Sequence, residues 1–298
     1  MPEGSLTVIQ LTDLHLSPSR PFFLANWRAA ARDAQRAEAD LIVISGDLTI
    51  NGADWEADLT HAMAELRPLE PLCVPGNHDI GECRPDHDQA IDAVRLERYR
   101  RLVGPDYWYR DQGAWRIVGL NTQLMASGLP DETAQRAWAE AVIPADGRFI
   151  AVFLHKPLYV ETVDGDDEPD HAVPGEARRW LAGLLAHPAV RLVSCGHVHQ
   201  YRVRTLAAAK HVWAPATSFL THHDYGGEHV PGLLTWRLGA DGQAEHELSV
   251  PEGLRRLQLE DIRGDFPNLR SLTPAAVAAA MNRHGLAAAR PLEPVPAG

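Results

Sequence analysis

Nine Asp, Asn and His residues stand out by where they fall: Asp13, His15, Asp47, Asn77, His78, Asp79, His155, His197 and His199. They form five clusters, Asp13-Leu14-His15, Gly46-Asp47, Gly76-Asn77-His78-Asp79, His155 and Gly196-His197-Val198-His199, each directly after a short apolar run. Oxygen and imidazole donors without thiolate suit borderline divalent metals such as Mn, Fe, Zn or Co. The candidate ligands Asp13, His15, Asp47, Asn77, His155, His197 and His199 exceed what one tetrahedral ion needs and suit two ions that share a carboxylate. Asp47 is the natural bridge, because it stands alone in its turn beside Gly46, where the backbone can approach closely. Two such ions, about 3.5–4 Å apart, would clamp a phosphate and bring a bound water to a pKa of about 7, giving a hydroxide nucleophile at neutral pH.

Each cluster alone says little. Asp-x-His is a common pairing, Gly-Asp reads first as a turn, and a single His155 reads first as a satisfied histidine at the edge of a core. Gly-His-x-His is stronger, since alternation puts both rings on one side of an extended segment. The ordered conjunction carries the reading, because the carboxyl ends of neighbouring strands in an α/β sheet converge on one crevice.

The elements that would position the clusters follow from hydrophobic periodicity. Strands are expected at Leu6–Leu11, Leu41–Ile44, Leu72–Val74, Arg116–Leu120, Phe149–Leu154 and Arg191–Ser194, and helices at Asn26–Ala39, Asp54–Leu66, Asp86–Leu102, Glu132–Val142 and Gly175–His187. This alternation predicts α/β layers around a largely buried sheet. Beyond Cys195, short aromatic and β-branched segments around Val203, Trp213, Phe219 and Leu233–Trp236 suggest meandering strands. Residues 1–250 are expected to form the catalytic domain and 251–298 a C-terminal extension, with one Ala-rich helix at Pro274–His284 before a Pro-rich tail. That helix is compatible with packing on the body, with a homo-oligomer or with a cap over the site, the first two preferred.

The five clusters resemble the signature blocks of the calcineurin-like metallophosphoesterase superfamily, over about two thirds of the chain. Within it the chain is similar to the class III cyclic nucleotide and glycerophosphodiester phosphodiesterase branch, through Gly76-Asn77-His78-Asp79 and Leu154-His155-Lys156-Pro157. The resemblance implies an α/β fold, a four-layer αββα sandwich of two mixed β-sheets flanked by helices, with the late strands completing the second sheet. It implies one ion held by Asp13, His15, Asp47 and His199 and another by Asp47, Asn77, His155 and His197, Fe or Mn first, with Zn or Co as alternatives. It further implies a metal-bound hydroxide attacking a small phosphodiester, with His78 facing the substrate as a proton or hydrogen-bond donor. Asp79 would orient the ring of His78 or cap the following helix.

Two departures bear on substrate. The protein phosphatases carry an Asp-Arg pair where Ile50-Asn51 precede Gly52, so their phosphate-gripping arginine is absent. The phosphodiesterase branch often has a second His where this chain has Lys156, which reads as a solvated residue beside the ligand or as a substrate contact. The loop holding His222, His223 and His229 and the acidic segment Val160–Pro174 are both candidate rims of the site, the acidic one reading first as a solvated loop. A phosphomonoesterase is the enzymatic alternative. A non-catalytic scaffold of the same fold is the alternative of another class, disfavoured because every ligand and His78 are kept.

The 298 residues carry 28 Lys and Arg against 40 Asp and Glu, a net charge of -12 with no basic run, which argues against nucleic-acid polymers and anionic membranes as partners. A small phosphodiester remains compatible, because metal would supply the cation. Cys73, Cys83 and Cys195 form no C-x-x-C pair. With no signal-like leader among Met1–Leu11, a reducing cytoplasm is the expected location.

Overall fold

The computed structural model describes residues 5–143, 146–263 and 273–286. Side-chain alternation along the strands, with its period of two, sets the layering. In β1 (Leu6–Leu11), Leu6 and Val8 face a cluster containing Trp115, Ile117, Ala151, Phe153, Leu192 and Trp236. Ile9 and Leu11 face the opposite way, towards Trp27, Ala30, Leu59 and Leu96. In β6 (Phe149–Phe153), Ala151 and Phe153 enter the first of these clusters, while Ile150 and Val152 pack with Val118, Leu181 and Leu185. Two sheets therefore share a central apolar layer, and each has helices on its outer face.

The first sheet runs β11-β10-β1-β2-β3, with β2 (Leu41–Ser45) and β3 (Leu72–Val74) parallel to β1. On the other edge of β1, β10 (Leu233–Leu238) runs antiparallel to β1 and β11 (Ala244–Ser249) antiparallel to β10. The second sheet runs β4 (Trp108–Gln112), β5 (Trp115–Gly119), β6, β7 (Val190–Cys195), β9 (Ala209–Trp213), β8 (Arg202–Leu206). Its edge strands β4 and β8 are antiparallel to their neighbours and the rest are parallel, so both sheets are mixed. Helices α1 (Leu24–Arg36), α2 (Glu56–Leu66) and α4 (Ala93–Leu102) cover the first sheet, and α5 (Pro130–Val142) and α6 (Gly175–Leu185) the second. The single turn α3 (Asn77–Ile80) follows β3. This is the four-layer αββα arrangement.

Buried Gln10 ties the two sheets together just below the site. Its Nε2 donates to Ser45 Oγ at 2.9 Å, and its Oε1 accepts from Ser194 Oγ at 2.7 Å and Trp236 Nε1 at 3.0 Å. Such a satisfied buried network fixes the relative position of strand ends in both sheets.

Three features differ from the sequence expectation. The helix expected over Asp86–Leu102 begins only at Ala93, where Asp92 caps it by accepting the Arg95 amide at 2.8 Å. Residues 81–91 instead form a loop closed by Glu82 and Gln89 main-chain bonds. Strand β4 has no apolar alternation to reveal it, because Tyr109, Arg110 and Asp111 are exposed on a sheet edge. The late strands do not all complete the second sheet: β8 and β9 join it, but β10 takes the free edge of β1 and buries Leu234, Trp236 and Leu238 between the sheets.

The helix expected at Pro274–His284 is α8 (Pro274–Arg283), whose Val277 and Ala280 pack with Phe22, Phe23, Ile50, Phe219 and Leu257. Ahead of it, α7 (Leu259–Arg263) adds Ile262 to that cluster. The Pro-rich tail lies outside the described residues. Among the described residues, no helix is long and apolar enough to cross a membrane.

Candidate metal centre

Every cluster sits where a strand ends. Asp13 and His15 follow β1, Asp47 follows β2, Asn77 and His78 open α3 after β3, His155 follows β6, and His197 and His199 follow β7. The main chain doubles back sharply at these points. Asp13 (φ 55°), His15 (48°), Asp47 (52°), His197 (74°) and His199 (54°) all adopt the left-handed region. For non-glycine residues this costs about 1–3 kcal/mol each and persists only where surroundings impose it. The turns brace one another: the Asp13 amide donates to Gly46 O at 3.0 Å, the His15 amide to Asp47 O at 3.0 Å, and the Gly196 amide to His155 O at 3.0 Å. Gly46 (φ 96°) and Gly196 have no room for a Cβ, which would strike the His155 ring in the first case and Thr12 and the Asp13 carboxylate in the second.

The side chains meet in a continuous cluster. His15 Nε2 and His199 Nε2 lie 3.4 Å apart, and His199 Nε2 is 3.4 Å from Asp13 Oδ1. Asp47 Oδ2 lies between the two halves, 3.7 Å from His15 Nε2 and 3.4 Å from His155 Nε2. On the far side, His155 Nε2 is 3.1 Å from Asn77 Oδ1 and 3.2 Å from His197 Nδ1. Ligand atoms of Asp13, His15 and His199 lie within 4.8 Å of one another, as do those of Asp47, His155 and His197, and those of His15, Asp47 and His78. All seven ligands expected from the sequence are thus brought together, with Asp47 common to both halves.

Hydrogen bonding shows which atom each ring presents. His155 donates Nδ1–H to Ser45 O at 2.9 Å, His199 donates Nδ1–H to Phe219 O at 2.7 Å, and His197 donates Nε2–H to Asp170 O at 2.5 Å. The opposite nitrogen of each ring is then the one turned into the centre, which is how metal-ligating histidines are held. His15 Nδ1 is buried without a hydrogen-bond partner. These ring nitrogens crowd to 3.2–3.4 Å of one another beside the Asp13 and Asp47 carboxylates, so nitrogen and oxygen donors converge on shared space as ligand atoms do. The donor set therefore fits divalent metal ions.

The electrostatics of the site differ from ring to ring. Burial, then the neighbouring His78, pulls His15 well below the usual imidazole range, and burial, then His155, does the same to His197, so both are neutral donors. Burial acts against charge on His155, but the Asp47 carboxylate outweighs it and pushes the ring up to about 9. Burial likewise opposes the charge of Asp47, yet His155 and His78 hold its carboxyl well below the carboxylate range.

Several expectations need correction. Asp79 does not orient His78, whose Nδ1–H donates instead to Ile50 O at 2.7 Å. Nor does Asp79 cap a following helix: it lies within α3 and its carboxylate accepts from the amides of Gly76, Leu48 and Thr49, holding the Asp47 turn against the Asn77 turn. Lys156 is not solvated; it is 0% exposed and pairs with Glu82 at 2.6 Å. Acidic Val160–Pro174 is solvated at Glu161, Asp164, Asp166 and Glu168, as expected, but it is also pinned, through Asp167 to Arg178 at 2.9 Å and through the carbonyls of Pro169 and Asp170. His222 and His223 are exposed and lie with His229 outside the ligand clusters; the ring of His222 is 3.8 Å from Glu260. The carbonyls of Ser45, Phe219 and Asp170, which fix the rings, have no side-chain signal from which sequence could have named them.

The calcineurin-like phosphoesterase family model matches residues 6–201, the span that carries all five clusters. The chain belongs to this family. It is 28% identical over 172 residues to the human serine/threonine-protein phosphatase CPPED1, covering 53% of this chain and 52% of that protein. It is 24% identical over 258 residues to a 3',5'-cyclic-nucleotide phosphodiesterase of Nostoc sp., covering 80% of this chain and 89% of the relative. The chain thus spans about half the length of the CPPED1 phosphatases it matches and most of the cyanobacterial relative. Among solved structures, the purple acid phosphatase PPD1 of yellow lupin shares the fold, with a TM-score of 0.60 at 14% identity, covering 82% of this chain and 51% of that one.

Proposed function

We propose that this family member is a phosphodiesterase that hydrolyses small phosphodiesters at a centre of two divalent ions. The observation that supports it is the shared carboxylate: Asp47 lies between an Asp13, His15 and His199 half and an Asn77, His155 and His197 half. Bound there, two divalent ions would supply a water of lowered pKa and neutralise charge on the phosphoryl group. Asp13 and Asp47 are held in place by the amides of His197 and His78, at 3.0 Å each, so the anionic ligands need not reorganise.

His78 is half-buried, with its ring 4.6 Å from that of His15. Because Nδ1–H is committed to Ile50 O, Nε2 is the atom left for a substrate. The neutral ring can only accept there; the protonated ring donates to the leaving oxygen or to a phosphoryl oxygen.

A diester rather than a monoester is favoured by Ile50-Asn51 in place of the phosphatase Asp-Arg pair, and by the extent of the match to the Nostoc phosphodiesterase. The matches to CPPED1 phosphatases favour the monoester reading. Comparing turnover of bis(p-nitrophenyl) phosphate with that of p-nitrophenyl phosphate decides between them: a strong monoester preference overturns the proposal.

A further inference from the structure

Lys156 follows the ligand His155 directly, yet it takes no part in the centre itself. Its ammonium is wholly buried and every proton is directed: to Glu82 Oε2 at 2.6 Å, to the Pro169 carbonyl at 2.8 Å and, more weakly, to Cys83 Sγ at 3.7 Å. Its amide donates to Thr122 Oγ1 at 3.0 Å, which fixes the backbone from which the side chain departs. One cation therefore ties the 82–83 loop and the Pro169 segment to the strand end that carries His155.

The next residue after Pro169 is Asp170, whose carbonyl accepts His197 Nε2–H. A second tie between the same two loops, Arg84 to the Asp170 carboxylate at 3.3 Å, lies at the partly exposed edge. Buried ion pairs contribute little net stability compared with apolar packing, so stability alone does not explain a lysine here. What the lysine does is fix the position of the Pro169-Asp170 peptide, and with it the carbonyl that selects the Nε2–H tautomer of His197. If that carbonyl moved away, the Nδ1–H tautomer would put a proton where a ligand lone pair is needed.

We propose that Lys156 is a positioning residue that, through Pro169 and Asp170, holds His197 in the tautomer and orientation that bind a metal ion. The inference rests on the two-metal reading above. Loss of such an outer partner weakens metal binding by about 10- to 100-fold.

The test is Mn2+ titration by calorimetry together with 15N-detected NMR of the histidine tautomers, on wild type, Lys156→Met and the double variant Lys156→Met with Glu82→Gln. The double variant leaves no unpaired buried carboxylate and protects against loss of fold. The expected result is that one of two binding steps weakens about 10- to 100-fold while the other changes less than about threefold, and that His197 loses its Nε2–H form. Wild-type affinities with an unchanged tautomer, or equal weakening of both steps, overturn it. If the wild type binds fewer than two ions, the two-metal reading fails, and the tautomer in metal-free protein still decides the role of Lys156: a shift to Nδ1–H in both variants supports it and an unchanged Nε2–H form refutes it.

Discussion

The carboxylate of Asp79 grips Thr49, accepting its amide at 3.0 Å and its hydroxyl at 2.8 Å. It accepts the amides of Leu48 at 3.1 Å and Gly76 at 2.9 Å as well, so this wholly buried side chain holds two ligand-bearing turns together. An amide in its place would turn an NH2 group towards donors. Asp79→Asn is expected to cost about 2–3 kcal/mol or more, seen as a fall in thermal midpoint of several degrees, with metal retention falling in parallel. A midpoint equal to that of wild type would contradict the bracing role.

His78 makes the contrasting prediction. Its ring is half-buried and braces nothing beyond Ile50 O, so His78→Ala should leave the midpoint within a degree or two. Diester kcat should fall by about 10²- to 10⁴-fold, the usual contribution of a positioned acid or base. Stopped assays with bis(p-nitrophenyl) phosphate check it, and unchanged kcat would remove His78 from the chemistry.

Gly196 tests the close packing of the centre. A methyl group there meets the Thr12 hydroxyl and the Asp13 carboxylate, both buried, so neither can move aside. Gly196→Ala should displace Asp13 and abolish metal binding at that half; retention of full metal content by elemental analysis would refute the geometry.

The five clusters and most strands were legible in the sequence because their signals are local. Leu6–Leu11 and Leu72–Val74 are apolar runs that end in polar residues of unusual type, and the observed β1 and β3 have the same bounds. What stayed hidden depends on partners distant in the chain. The turn of Asp79 towards Thr49 is set by main-chain amides, which no residue type announces. Lys156 reads as a surface residue until Glu82, 74 positions earlier, is brought beside it. The placement of β10 beside β1 rests on a free sheet edge that only the assembled fold defines.

Away from the centre, His211 gives a pH dependence. Burial, then Arg204 beside it, lowers its pKa to about 4, and its Nε2 has no hydrogen-bond partner. In the unfolded chain an imidazole titrates near about 6.5. Since the folded value is depressed, the contribution is present above about pH 6.5 and is lost as pH falls towards 4. By pH 5 the loss is about 2 kcal/mol. His211→Phe should therefore flatten the fall in thermal midpoint between pH 7 and 5, and parallel curves for the two proteins would contradict the assignment.

The central claim is that two ions share Asp47 and together support diester hydrolysis. Metal-free protein titrated with Mn2+ while bis(p-nitrophenyl) phosphate turnover is followed tests it directly. Turnover should plateau at two equivalents per chain and be lost in Asp47→Ala. A plateau at one equivalent, or undiminished turnover in Asp47→Ala, would contradict it.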